Sequence, residues 1–185
     1  RPACSLAPAA RASAWRRASE MASLMEDQAA GLRRLFARGG APAHIAFAGA
    51  GGRAALIAGL ARGLAGAGKE VVVVDERGGG DGVAAAFGIA PRFDLLQAAN
   101  GDIAASRVLH RPEAAIRLVP AARAARACQG DDVAQRRRVA ESLRRMQQGA
   151  DYVLLDAAAR GEGGGGDELS PLHPEADRLV LVVAA

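Results

Sequence analysis

Residues 44–53 read His-Ile-Ala-Phe-Ala-Gly-Ala-Gly-Gly-Arg, an apolar segment that runs into a glycine-rich turn. An alanine- and leucine-rich helix pattern follows directly. A strand, a glycine turn and a helix in this order form the layout of a phosphate-binding loop, in which backbone N–H groups at the helix N-terminus face the anion. The lysine, the hydroxyl and part of the length of such a loop are missing here. The local pattern therefore predicts a fold more firmly than it predicts a chemistry.

The rest of the chain alternates between strand and helix patterns. Strands are predicted over residues 45–48, 71–75, 116–120, 152–156 and 179–183, and helices over 54–67, 83–87, 93–99 and 133–148, with a further short helix over 104–109. This alternation predicts an α/β domain with a doubly wound, mostly parallel sheet and helices on both faces. Ligands bind beyond the carboxyl ends of the strands in such sheets, so residues 49–53, 75–80 and 156–161 are expected to meet at one edge.

Composition limits the remaining possibilities. Half of the 185 residues are hydrophobic, the net charge is +4, and the two cysteines have no metal-ligand spacing. We expect one reduced, cytoplasmic domain over residues 41–185, preceded by a helix and linker at 21–40 and an upstream segment at 1–20. Because the sequence stops directly after a strand, we expect the C-terminal part of this domain to be missing.

A second segment matches a phosphate-loop pattern at the wrong place. Gly63 to Lys69 has a glycine, four residues, a glycine and a lysine, with Glu70 where a hydroxyl would stand. This segment closes a helix and precedes a strand, so the carbonyl end of the helix faces the turn. We interpret Gly68 as a helix C-cap and assign no nucleotide role to this segment.

The correctly placed turn resembles the loop of the MinD/ParA group of P-loop ATPases, which reads Gly-Lys-Gly-Gly-x-Gly-Lys-[Ser/Thr]. Aligned from the helix backward, Arg53 stands at the P-loop lysine and Ala54 at the Mg²⁺-binding hydroxyl, while the signature lysine has no counterpart. The resemblance implies ATP and Mg²⁺ as cofactors, held by Gly49, Gly51, Gly52, Arg53 and Ala54. The substitutions predict weak binding or none, and a vestigial turn is favoured over a working site.

Two carboxylates match further positions of that group. Asp75 ends the second predicted strand, like the first aspartate of the family's switch region, and Asp156 ends Tyr-Val-Leu-Leu-Asp, like its Walker-B-type aspartate. The resemblance implies a role for both in holding the metal. Each can equally be a turn or helix-cap residue, and the sequence alone leaves both interpretations open.

A short element before the domain resembles one branch of the group. Residues 25–34 are similar to the Asp-Gln-Ala-x-x-Leu-Arg element of the flagellar regulators FlhG, also called FleN. In that branch the element engages FlhF, the signal-recognition-type GTPase of flagellar assembly. The matching positions, which the resemblance implies as partner contacts, are Asp27, Gln28, Ala29, Leu32 and Arg33. The alternative is an amphipathic helix that packs on its own domain.

Three functional hypotheses remain. The first is a regulator of flagellar number and placement that acts by protein contact, with a degenerate nucleotide site and little or no ATP hydrolysis. The second is an atypical ATPase that cycles between a monomer and a membrane-bound dimer through a C-terminal segment not present in the sequence. The third is a ParA-like positioning protein that binds DNA nonspecifically. The arginine-rich helix at 133–148 is more simply a solvated face, which disfavours nucleic acid as a partner.

Overall fold

The computed structural model describes residues 41–49, 52–158, 172 and 176–183. These residues contain six strands and five α-helices. The strands are β1 (Ala43–Gly49), β2 (Val71–Asp75), β3 (His110–Glu113), β4 (Ile116–Pro120), β5 (Tyr152–Asp156) and β6 (Arg178–Val182). The helices are α1 (Arg53–Gly66), α2 (Val83–Ala86), α3 (Leu95–Ala99), α4 (Ala122–Cys128) and α5 (Val133–Met146), with a 3₁₀ turn at Ala105–Arg107.

The six strands form one sheet in the order β3-β4-β2-β5-β1-β6. Every neighbouring pair is parallel except β3 and β4, which are antiparallel. This arrangement confirms the predicted α/β fold with a doubly wound, mostly parallel sheet. The register places Asp75 of β2 opposite Asp156 of β5. The carboxyl ends of the central strands therefore meet at one edge, as the sequence predicted.

The central strands are covered on both faces. In β2, Val72 and Val74 pack into a cluster with α3, α4 and α5, whereas Val71 and Val73 pack into a second cluster with α1 and α2. All four valines are fully buried, which explains why this strand is a continuous β-branched run instead of an alternating pattern.

Helix α1 ends as the sequence predicted. The N–H of Gly68 donates to the carbonyl of Ala65, and the N–H of Lys69 donates to that of Leu64. Gly68 has a φ of +76°, which completes a Schellman ending. The lysine of the second glycine-rich segment thus stands at the carbonyl end of a helix, where an anion is disfavoured.

The sequence analysis missed two elements. Strand β3 contains Pro112 and pairs with β4 only, as an edge strand that a proline can occupy. Helix α4 was not predicted, because its many alanines give a weak hydrophobic periodicity. The helix predicted at 104–109 is only the short 3₁₀ turn, and α3 begins at Leu95 because Asp94 caps it.

Among the described residues, no helix is long and apolar enough to cross a bilayer.

Candidate functional site at the carboxyl edge of the sheet

The turn between β1 and α1 depends on glycines at its two ends. Gly49 has a φ of +105°, and a Cβ there would collide with the carbonyl of Val182 on β6. Gly52 has a φ of +82° and directly precedes α1. Both are conformations that favour glycine. Of the predicted nucleotide-binding residues, Gly49, Gly52, Arg53 and Ala54 are described, whereas Gly51 lies outside the described residues.

Arg53, the first residue of α1, points into the protein. Its side chain is only 2% exposed. Its Nε donates to Oδ1 of Asp156 at 2.6 Å, its Nη1 to the carbonyl of Gly49 at 3.1 Å, and its Nη2 to that of Ala157 at 2.8 Å. All three guanidinium nitrogens are therefore engaged by acceptors of the chain itself. Arg53 thereby joins β1, β5 and α1 together.

Asp156, at the end of β5, is fully buried. Burial raises the pKa of its carboxyl group, the ion pair with Arg53 opposes this, and the neighbouring Asp75 adds to the rise, so that the net direction is upward. Among the described residues, its Oδ2 atom has no hydrogen-bond partner. This one oxygen is the part of the carboxylate that could still accept a proton, a water or a cation.

Asp75, at the end of β2, is used by the backbone that follows it. Its carboxylate accepts from the N–H groups of Arg77, at 3.1 Å, Gly78, at 2.8 Å, and Ala84, at 2.9 Å. It thereby holds the loop after β2 and the first turn of α2. The structure brings Asp75 and Asp156 together, yet within the described ranges no group of three or more His, Cys, Asp or Glu side chains is placed to hold a metal.

A cavity of about 430 Å³ lies beside the glycine turn. Gly52, Ala54 and Ala55 line one side, and Arg77, the loop at 80–82 and α2 line the other. A nucleotide of the P-loop type would need a lysine, a hydroxyl and a metal-binding carboxylate here. At the positions where those groups would stand, the described residues offer Ala54, the already paired Arg53 and one carboxylate oxygen of Asp156, while the charged side chains of Arg77 and Asp81 reach the cavity from the opposite side. They do not fit Mg²⁺-ATP in the manner of a working P-loop.

A second cavity, of about 200 Å³, lies at the carboxyl ends of β2 and β4. Four arginines line it: Arg77, Arg92, Arg123 and Arg126. These arginines were not predicted as a site, because they come from three separate segments and form no basic run in the sequence. One sequence feature could have indicated the site: each arginine lies within a few residues after a proline or after the end of a predicted strand.

The sheet order and the strand–glycine turn–helix unit define the protein as having the MinD/ParA-type P-loop NTPase fold. Solved structures of that type resemble it. The MinD chain of the MinC:MinD cell division complex of Aquifex aeolicus superposes with a TM-score of 0.54 and 22% identity over 75% of this chain and 55% of that one. Cobyrinic acid a,c-diamide synthase of Mycobacterium smegmatis, crystallised with an ATP analogue and magnesium, gives 0.55 and 19% over 76% and 59%. The chimeric protein CapA2B2 gives 0.58 and 16% over 80% and 66%.

These likenesses extend to the fold and no further, since identity is low. The chain spans between about half and two thirds of the length of these structures. No family model and no curated protein matches the sequence. The predicted partner-binding residues at 27–33 lie outside the described residues, so their assignment stays a prediction.

Proposed function

We propose that this protein is a cytoplasmic regulator of the MinD/ParA type that acts by contacting other proteins and binds ATP weakly or not at all. The observation that carries the proposal is the buried ion pair of Arg53 with Asp156. It uses the one cation at the P-loop lysine position for internal structure. The similarity to MinD, whose solved structure is a complex with MinC, supports a protein partner for a chain of this fold.

The energetics of this ion pair argue against tight nucleotide binding. To reach a phosphate, Arg53 would have to leave Asp156, which is fully buried. Breaking a buried pair costs about 3–5 kcal/mol, because the remaining charge is left without compensation. A phosphate contact of ordinary strength would return only part of this cost. Binding through Arg53 is therefore expected to be weak.

Nucleotide titration tests this proposal. Calorimetry of the full chain and of a glycine-turn variant with ATP and Mg²⁺ should show no binding at the glycine turn tighter than the millimolar range. Ala54→Glu serves as the probe variant, because a carboxylate in the first turn of α1 suits the helix yet repels phosphate at the glycine turn. Micromolar ATP binding that Ala54→Glu abolishes would refute the degenerate site. Any anion binding that Ala54→Glu leaves unchanged belongs to another surface.

The finer proposal is a role in flagellar number and placement, through contact with an FlhF-like GTPase. It is supported by the sequence element at 25–34 and by the fold that follows it. Stimulation of the GTPase by the full chain should disappear when residues 25–36 are deleted. Arg33→Ala should weaken stimulation, whereas Arg34→Ala, an identical change of charge next to it, should not. Unchanged stimulation after the deletion would rule out this helix as the contact.

An ATP-dependent cycle is the second candidate, and the cavity of about 430 Å³ beside Gly52 favours it. The cobyrinic acid a,c-diamide synthase structure holds an ATP analogue and magnesium in a related fold. This candidate requires nucleotide-dependent dimerisation, which light scattering with and without ATP and Mg²⁺ measures. A monomer under both conditions, together with the absence of ATP binding, would leave the contact-only regulator as the function.

A further inference from the structure

The arginine-lined cavity has the properties of a binding site separate from the glycine turn. Its floor is formed by the ends of two neighbouring strands, at Asp75 of β2 and Pro120 of β4. Its walls come from the loop after β2, the segment before α3 and the first turns of α4. Its volume of about 200 Å³ is below the roughly 300–1,000 Å³ of pockets that enclose a drug-sized ligand, so the recess has room for a small anionic group only.

Both carboxylates in the lining already accept hydrogen bonds from the backbone. Asp75 accepts three backbone N–H groups, as described above. Asp94 accepts a further three, from Leu96 and Ala124 at 3.0 Å and from Arg123 at 2.9 Å. Because their oxygens are used in this way, neither carboxylate forms a salt bridge with an arginine of the cavity.

The four guanidinium groups are therefore available to bind an anionic ligand. Each is exposed, and none forms an ion pair with a described residue. Arg92 lies over the ring of Phe93 at 5.5 Å from its centroid, and the Nε of Arg126 donates to the carbonyl of Ala122 at 3.2 Å. These contacts orient two of the side chains and leave most of their N–H groups available to a ligand.

We infer that this cavity binds a small anion that carries a diphosphate group. Guanidinium groups bind phosphate oxygens through two parallel N–H donors, which gives arginine a geometric match that a single point charge lacks. Four such groups around one small cavity offer more donors than a single carboxylate can accept, and two linked phosphates provide more paired acceptor oxygens for them than one phosphate does. Two linked phosphates supply enough acceptor oxygens and negative charge, and inorganic pyrophosphate and nucleoside diphosphates share this group.

Calorimetry of the full chain with inorganic pyrophosphate, at about 0.15 M ionic strength, tests the site. The probe variant is Arg92→Gln/Arg123→Gln. Arg77 is left in place because it also lines the cavity beside the glycine turn. Losing two charge-assisted contacts should weaken pyrophosphate binding about 10- to 100-fold or more. The control is Arg144→Gln/Arg145→Gln, which removes the same charge from the exposed face of α5.

The outcomes separate the explanations. Loss in the probe variant with none in the control supports the site. Equal loss in both variants, or no binding to the unchanged chain, overturns it. A second arm uses ADP: tighter binding than pyrophosphate that the probe variant also removes identifies a nucleotide as the source, and equal or weaker binding identifies the inorganic anion. Preference for a short Asp/Glu-rich peptide over pyrophosphate would overturn the assignment to diphosphate.

Discussion

Arg53 and Asp156, separated by 103 positions in the chain, form an ion pair in which neither side chain has more than 2% of its surface exposed. The pair connects the start of α1 to the end of β5. The sequence resemblance aligns Arg53 with the phosphate-binding lysine and Asp156 with the metal-binding aspartate of the MinD/ParA group. In the structure Arg53 pairs with Oδ1 of Asp156 and also donates to the carbonyls of Gly49 and Ala157, so that both residues serve a structural purpose.

Replacing Arg53 should destabilise the fold strongly. Arg53→Met keeps an apolar side chain of similar length but leaves the carboxylate of Asp156 buried without its partner. We expect the free energy of unfolding to fall by about 3–5 kcal/mol. Denaturation in urea, followed by circular dichroism, measures this loss as a shift of the midpoint at unchanged slope.

An exposed pair provides the matched control. Arg62 contacts Glu113 through its Nε at 2.8 Å, but both side chains are more than 40% exposed. Arg62→Met should change the free energy of unfolding by no more than about 1 kcal/mol. The double variant Arg53→Met/Asp156→Leu should recover much of the loss, because no buried charge remains. Equal effects of the two arginine substitutions would contradict the structural role of the buried pair.

The raised pKa of Asp156 predicts a specific pH dependence. The folded chain binds this proton more tightly than the unfolded chain, whose carboxyl has an ordinary value near 3.8. Protonation therefore favours folding, and the contribution of Asp156 to the free energy of unfolding falls as the pH rises through its folded pKa. Subtracting the free energy of unfolding of Asp156→Asn from that of the unchanged chain isolates this contribution. The difference should decline as the pH rises from about 3.8 to the folded pKa, by at most about 1.4 kcal/mol per pH unit, and then level off. A difference that rises, or that stays flat from acid to neutral pH, would be inconsistent with the raised pKa.

The fold could be predicted because its signals are local. A β-branched run such as Val71 to Val74 is typical of a strand covered on both faces, and a glycine placed after a helix pattern, such as Gly68, indicates where the helix ends. Strand β3 and helix α4 escaped for physical reasons. The strand is short, contains a proline and is held by one neighbour, while the alanines of the helix bury small surfaces that leave little periodic contrast.

The site could be predicted as a location but not as a set of contacts. Parallel strands bring their carboxyl ends together, so Asp75 and Asp156 had to be neighbours. Which atoms each carboxylate binds depends on rotamers and on loop paths that a sequence does not specify. The same applies to Arg53. The sequence shows a cation at this position, but the direction of its side chain toward Asp156 and Ala157 is a result of tertiary packing.

Asp94 should contribute more to stability than an ordinary helix cap. Its carboxylate accepts from Leu96 at the start of α3 and from Arg123 and Ala124 at the start of α4. Asp94→Ala removes the caps of both helices at a site only 5% exposed. An N-cap is worth about 1 kcal/mol, and a buried N–H left without a partner costs about 1–3 kcal/mol. We expect a total loss of about 2–4 kcal/mol in urea denaturation.

Asp132 offers the comparison for this prediction. Its side chain caps α5 through one hydrogen bond, from the N–H of Gln135 at 2.9 Å, at an exposed position. Asp132→Ala should therefore cost about 1 kcal/mol or less. Similar losses for the two variants would mean that the bonds from α4 to Asp94 add nothing to stability.

Gly82 should resist substitution although its backbone conformation does not require glycine. Its φ is −79°, which alanine adopts readily. A Cβ at this position would lie 2.5 Å from Oδ2 and 2.9 Å from Oδ1 of Asp75, whose carboxylate is fixed by backbone N–H groups and cannot move aside without losing them. We expect Gly82→Ala to reduce the free energy of unfolding by about 1–3 kcal/mol.

Gly80 is the matched control, because a Cβ there meets no heavy atom within 4 Å. Gly80→Ala should be neutral or stabilise by about 0.4–1 kcal/mol through the unfolded chain. The two variants, compared by urea denaturation, separate crowding against Asp75 from the general cost of losing a loop glycine, and equal effects would show that Asp75 can give way.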